Sequence, residues 1–156
     1  MAQKGSERYL MNIQGKTKAV QEWLKTNPLV GKRLKINATD MKEGEISVNV
    51  VSNTDLDTAF IDGTQERKYT FAISFVKSWS AGYDKVNIEA MEFGEKVTDW
   101  ITAQYLNDNM PDFGKSCTIR AIRPLQNIPE CAAVYSETGS ARYQLLCDIV
   151  YWEKEA

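Results

Sequence analysis

A chain of 156 residues, 43% hydrophobic and 26% charged, has the length and balance of one globular domain, 1–156, able to bury its own core. A formal net charge of −2 argues against a dedicated nucleic-acid binder, and the absence of histidine excludes any reaction that needs an imidazole base, shuttle or zinc ligand. No apolar run approaches the length that spans a bilayer, and the opening MAQKGSERYL lacks the apolar centre of a signal peptide, which predicts a chain that stays in the cytoplasm where it is made.

The first predicted element is a helix over Ser6–Thr26, with Tyr9, Leu10, Ile13, Val20, Trp23 and Leu24 at helical spacing. Asn27-Pro28 ends it, because the residue before proline is pushed away from helical dihedrals. Leu34, Ile36 and Ala38 then share one face of a short strand, with Arg33, Lys35 and Asn37 on the other. A turn at Met41–Gly44 leads to a second strand carrying Ile46, Val48 and Val50, and the two strands are expected to pair as a hairpin. Asn53–Gly63 reads as an irregular acidic segment closed by the turn signal Asp62-Gly63.

From Arg67 the alternation is clean. Tyr69, Phe71, Ile73, Phe75 and Trp79 occupy odd positions and Thr70, Ser74 and Ser78 even ones, the pattern of a strand with one buried face. After a polar loop, Ser80–Lys85, Asn87 is placed to cap a helix running to Asn107, with Phe93, Val97, Trp100, Ile101 and Gln104 on one side. Three further strands follow at Ser116–Leu125, Cys131–Ser136 and Ala141–Glu153, the last two joined by the turn Glu137–Ser140. In the final strand the odd positions from Ala141 to Tyr151 are all apolar or aromatic, and the even ones mix Arg142, Gln144 and Asp148 with Leu146, Val150 and Trp152. Apolar residues on both faces indicate a central strand, or one whose outer face meets another subunit. The order of elements predicts an α+β fold: an antiparallel or mixed sheet packed by two main helices.

Candidate chemistry is sparse. Asp55, Asp57 and Asp62 cluster in the acidic segment but match no calcium-loop spacing, and solvated turn residues explain them. Arg67-Lys68 reads as solvated or as subunit-contact ion pairs, and Arg120 and Arg123 fall on opposite strand faces, so they form no single patch. Cys117, Cys131 and Cys147 have no metal-ligand spacing, and Ser136 and Ser140 have no base to activate them. The sequence therefore assigns no catalytic, metal or cofactor-binding residue. Trp152, Tyr83 and Tyr135 do not fit the predicted buried faces and read as anchors of a subunit interface, where aromatic side chains are enriched; Arg142 joins them from the polar positions of the last strand.

Ile61-Asp62-Gly63-Thr64 leading into Arg67-Lys68-Tyr69-Thr70-Phe71, the helix from Asn87 to Trp100 with Glu89, Phe93 and Asp99, and the strand Ala141-Arg142-Tyr143-Gln144 ending in Ile149-Val150-Tyr151 together resemble the tail terminator, or minor capsid, proteins of long-tailed bacteriophages. The resemblance implies a tail-terminator-like α+β subunit that forms a homo-oligomeric ring, typically a hexamer, capping the tail tube at the tail–neck junction of the virion after assembly in the host cytoplasm. It implies as partners the major tail tube protein and a neck or head completion protein, with DNA passing through the lumen without specific binding. No catalytic residue, metal or cofactor comes with it. Two other readings stand beside it: another neck, stopper or diverged tube protein, and a small ligand-binding or enzymatic α+β domain.

Overall fold

The computed structural model describes residues 12–154 apart from 32, 33, 39, 83 and 127, and of Asp57 the backbone alone. Its centre is a pair of long strands, β3 (Thr64–Ser78) and β6 (Ser140–Lys154), antiparallel and in register over their whole length from Thr64 opposite Lys154 to Ser78 opposite Ser140. On one side of this pair lies β2 (Ile46–Ala59), with the two-residue β1 (Lys35–Ile36) beyond it; on the other side β4 (Cys117–Pro124) and β5 (Glu130–Tyr135) pair successive stretches of β6. All pairings among the described strands are antiparallel except β1 with β2, so the sheet is mixed and the fold is α+β.

Both helices cover the face that carries the odd residues of β3 and β6. α1 (Ile13–Leu24) opens with the Asn12 side chain accepting the Gly15 N–H at 2.8 Å, satisfying one of the donors a helix start leaves free. The Ser6–Met11 part of the expected helix, with Tyr9 and Leu10, lies outside the described residues, as does Arg33. α2 (Asp84–Leu106) brings Phe93 edge-on to Phe75, which stacks on Tyr143 with ring centres 5.6 Å apart, and sets Trp100 against Trp23 of α1. Beneath the helices Tyr69, Phe71, Ile73, Phe75, Tyr143, Leu145, Ile149 and Tyr151 are all buried, as the alternation predicts; against that expectation of a single buried face, Thr70, Ala72, Ser74 and Val76 on the other side of β3 are buried too. Gly94 of α2 lies so close to the Pro129 ring that a Cβ there would stand 2.5 Å from its Cγ, pinning the β4–β5 connection to the helix layer. Among the described residues no helix is long and apolar enough to cross a membrane.

Four expectations are corrected. The first two strands do not form a hairpin: β1 runs parallel to β2, with Lys35 beside Ser47. After Ile36 the chain stays on the edge of β2: Asn37, at a positive φ of 50°, donates its N–H to the Val48 carbonyl and accepts the Val50 N–H through its side chain, and the Ala38 N–H donates to Ser47 Oγ. The acidic segment from Asn53 is not irregular but continues β2 to Ala59; register shifts after Val50 and after Asp55 scramble the alternation that would have revealed it. The turn at Asp62-Gly63 forms as expected, with Gly63 at φ 91°. Asn87 is not the cap of α2, which starts at Asp84; its amide instead clamps Ser80, accepting that residue's N–H and donating to its carbonyl. Arg120 and Arg123 share a face, because the bulge between Ile119 and Ala121 shifts the phase of β4.

Candidate assembly surfaces

The face of the sheet turned away from the helices is built differently. On β2 and β3 it carries small residues, Ser47, Thr70, Ala72 and Ser74, and on β6 longer ones, Arg142, Gln144, Leu146 and Asp148. Asp148 is buried there and accepts a hydrogen bond from Thr70 Oγ1 at 2.7 Å.

Trp152 stands on this face at the end where β2 turns into β3. Its indole N–H donates to Glu66 at 3.1 Å, the Phe60 ring meets it edge-on at 5.1 Å, and the Arg120 guanidinium lies 4.2 Å from its ring centre. Phe60 is exposed and Ile61, at the hairpin tip, is fully exposed. With Trp152 they line an open cavity of about 440 Å³.

Tyr135 and Arg142 lie at the opposite end. Tyr135 is opposite Ser140 and Arg142 opposite Ala133, so both belong to one neighbourhood, and the Arg142 Nε–H has no acceptor there. Exposed Tyr135 and Val134 line a cavity of about 780 Å³ with Met41, Lys42 and Glu43 of the β1–β2 connection. Ten residues of β6 separate Arg142 from Trp152, roughly 33 Å at strand rise. The predicted contact residues thus fall into two places, and Tyr83 lies outside the described residues. Phe60 and Ile61 escaped the sequence reading; an apolar pair directly before an Asp-Gly turn was the signal for them.

The two long margins of the sheet are unlike. β2 beyond Val50 borders no other described strand, and from Val51 to Gly63 the chain holds Asp55, Asp57 and Asp62 with no lysine or arginine. It is least regular at Leu56–Thr58, where the Gln65 amide donates to the carbonyls of Leu56 and Thr58. On the opposite margin, Gly114–Pro124 holds Lys115, Arg120 and Arg123 with no carboxylate.

The strongest internal electrostatics sit elsewhere, under α1. Lys16, buried, donates to Glu153 at 2.9 Å and to the Tyr151 hydroxyl at 3.1 Å, and the Cys117 thiol also donates to Glu153. Tyr151 in turn donates to Asn53, and Thr17 hydrogen-bonds Tyr69 at 2.7 Å. Arg67, partly exposed, is held within the chain: its guanidinium pairs Asp55 at 3.2 Å and Glu153 at 3.1 Å, the Nε–H lying off the hydrogen-bonding direction. Burial pulls the Lys16 ammonium down, but its bonds to Glu153 and Tyr151 outweigh this and hold it above its ordinary 10.5. Burial pushes the Cys117 and Cys147 thiols up to about 12, helped at Cys117 by the bond to Glu153, so both are protonated at neutral pH. The acidic residues do not gather: Asp55 faces Arg67, while Asp62 accepts the Thr64 N–H and lies 3.6 Å from Lys154. Among the described residues no group of three acids or thiols is placed to hold a metal ion.

Comparison with known protein families and with curated proteins finds no match. The reading of function rests on the chain itself.

Proposed function

We propose that this chain is a structural ring subunit of a long-tailed phage, a tail terminator that caps the tail tube, stops its growth and offers the neck a docking surface. The observation that supports it best is the distribution of exposed apolar side chains. One group, Phe60 and Ile61, projects at the β2–β3 tip; another, Leu125, Ile128, Val134 and Tyr135, lies along β5 and the connection before it. A closed ring needs two different complementary surfaces on each subunit, and these two are distinct in place and composition. Buried Lys16, Glu153 and the Cys117 thiol are tied together in a packed hydrogen-bonded contact between α1 and the sheet, which suits a scaffold.

The test is assembly. Tube protein polymerised with the chain is expected to give tubes of limited length, each carrying a ring of this protein at one end by negative-stain imaging. Tubes that grow unchecked and carry no ring overturn the proposal. Open tubes formed by the chain alone would favour a tube protein.

A further inference from the structure

The sheet's two long margins match each other in height, direction and charge. Following rungs across the sheet, Ser52 lies level with Thr70, Asp148 and Arg123, and Asp55 lies level with Arg67, Tyr151 and Ile119. The regular part of the free β2 margin, Ser52–Asp55, therefore spans the same height as the middle of β4. β1 and β5 occupy only the other half of their margins, beside Ser47–Val48 and Ser140–Gln144. Strand directions alternate from β2 through β3 and β6 to β4. A second copy brought alongside by rotation, with little shift along the strands, would thus set its β4 antiparallel to β2 and continue the alternation, its helices on the same side.

Charge selects the same contact. Arg120 and Arg123 are exposed, and among the described residues no carboxylate lies within ion-pair distance of either. β2 beyond Val50 and the turn after it hold three aspartates and no base of their own, Asp55 and Asp62 being paired with Arg67 and Lys154 of the neighbouring strands. Strands that pair lie about 5 Å apart, well inside the screening length at physiological salt. Two acidic margins or two basic ones repel, so a face-to-face dimer of like margins is disfavoured and the head-to-tail contact favoured.

We infer that the subunits of this protein join by pairing the β2 margin of one copy with the β4 margin of the next, the sheet running on from subunit to subunit. The inference rests on the ring reading for its closure, but the contact itself does not depend on what the ring caps. Rims at Arg120 and Arg123 supply steering and register; backbone pairing supplies the join.

Two variants of the full chain test it. Arg120→Glu/Arg123→Glu makes both margins acidic, and Thr54→Lys/Asp57→Lys/Thr58→Lys makes β2 basic. Each alone, with an unchanged circular dichroism spectrum, is expected to lose self-association by at least about tenfold. An equimolar mixture is expected to recover the wild-type mass by light scattering, because the acidic β4 of one variant then meets the basic β2 of the other. On the wild-type chain, backbone amides of Ser52–Asp55 and Cys117–Pro124 are expected to exchange more slowly when concentrated than when dilute. Variants that assemble as wild type does, a mixture that recovers nothing, or protection confined to other strands overturns the inference and leaves the tail-cap reading standing. A wild-type chain that stays monomeric when concentrated, its β2 margin closed by its own residues 1–11 or kept for a different protein, also overturns it. Complementing variants that build open filaments with no affinity for tail tubes would uphold the contact and sink the tail cap.

Discussion

The two faces of the sheet carry the same strands and answer to different demands. On the helix side the β3–β6 ladder presents Tyr69, Phe71, Ile73, Phe75, Tyr143, Leu145 and Tyr151, whose rings interlock with those of Phe93 and Phe113. On the other side the same rungs present Thr70, Ala72, Ser74, Gln144 and Leu146. Large apolar residues on one face tie the fold to its two helices. The other face packs with small and mixed residues: Ser47, Thr70, Ala72 and Ser74 are buried there without large apolar side chains, and β6 adds Arg142, Asp148 and Trp152. Large rings and small residues are thereby divided between opposite sides of the same strands.

The sharpest way to break that division is to truncate one side chain on each face. Phe75→Ala, in the middle of the ring stack, is expected to cost about 3–5 kcal/mol by denaturant titration, because the cavity cannot collapse between two helices and a sheet. Leu146→Ala, half-buried on the other face, is expected to cost about 1 kcal/mol or less. Equal losses would show that something covers the outer face as firmly as the helices cover the inner one.

The ionic contact under α1 comes next. Lys16→Ala leaves Glu153 buried with Arg67 as its remaining cation, and a loss of about 3 kcal/mol is expected; Lys16→Met, which fills the space without a charge, should lose the same or less. The pH profile carries the sign of this contact. Lys16, Tyr69, Tyr151, Cys117 and Cys147 are all held above their ordinary values, so their contributions are complete at neutral pH. They are lost as pH rises, the thiols first from their ordinary 9.0 and Lys16 last, above 10.5. Melting temperature is expected to stay level from pH 7 to 9 and fall steeply above it, and a profile flat to pH 11 would contradict these assignments.

Smaller effects belong to the outer face. Thr70→Val strands the buried Asp148 carboxylate and should cost about 1–2 kcal/mol in the same titration, measurably more than Ser74→Ala beside it. Trp152→Ala removes the ring that Phe60 and Arg120 pack on and should cost about 0.5–1.5 kcal/mol in stability. If instead it abolishes folding, the hairpin end is core and not surface.

What could be read from the sequence followed from which interactions are periodic and local. The Tyr69–Phe75 alternation, the apolar odd positions of β6 and the amphipathic run through Val97 and Ile101 each report the helix-covered face directly, but the even positions Thr70, Ala72, Ser74 and Val76 are buried too, which a period of two with small polar residues did not reveal. β2 hid because its register shifts break the period of two, and the same device in β4 turned Arg120 toward Arg123. The parallel β1 was illegible because two short alternating runs beside a turn fit a hairpin equally well; what decides against it is the Asn37 and Ser47 side-chain bonding. The buried role of Lys16 had no signal in the sequence, since nothing local reveals a partner 137 positions away. Of the residues expected at an interface, Trp152 and Tyr135 stood out by the parity of their strands, and the structure leaves Tyr135 exposed and Trp152 half-buried. Their separation was not legible, because it depends on which end of β6 each occupies.

The position of β6 also orders events in time. It is synthesised after every strand it joins, yet it lies between β3 on one side and β4 and β5 on the other, and it carries the carboxylate that receives Lys16. A growing chain on the ribosome can therefore form the β2–β3 hairpin and its helices but cannot attach β4, whose basic margin has nothing to lean on until Ser140–Lys154 has emerged. A chain terminated before Ser140 would present the β2 margin but no ordered β4 margin, so under the proposed contact it could end a row of subunits and not extend it.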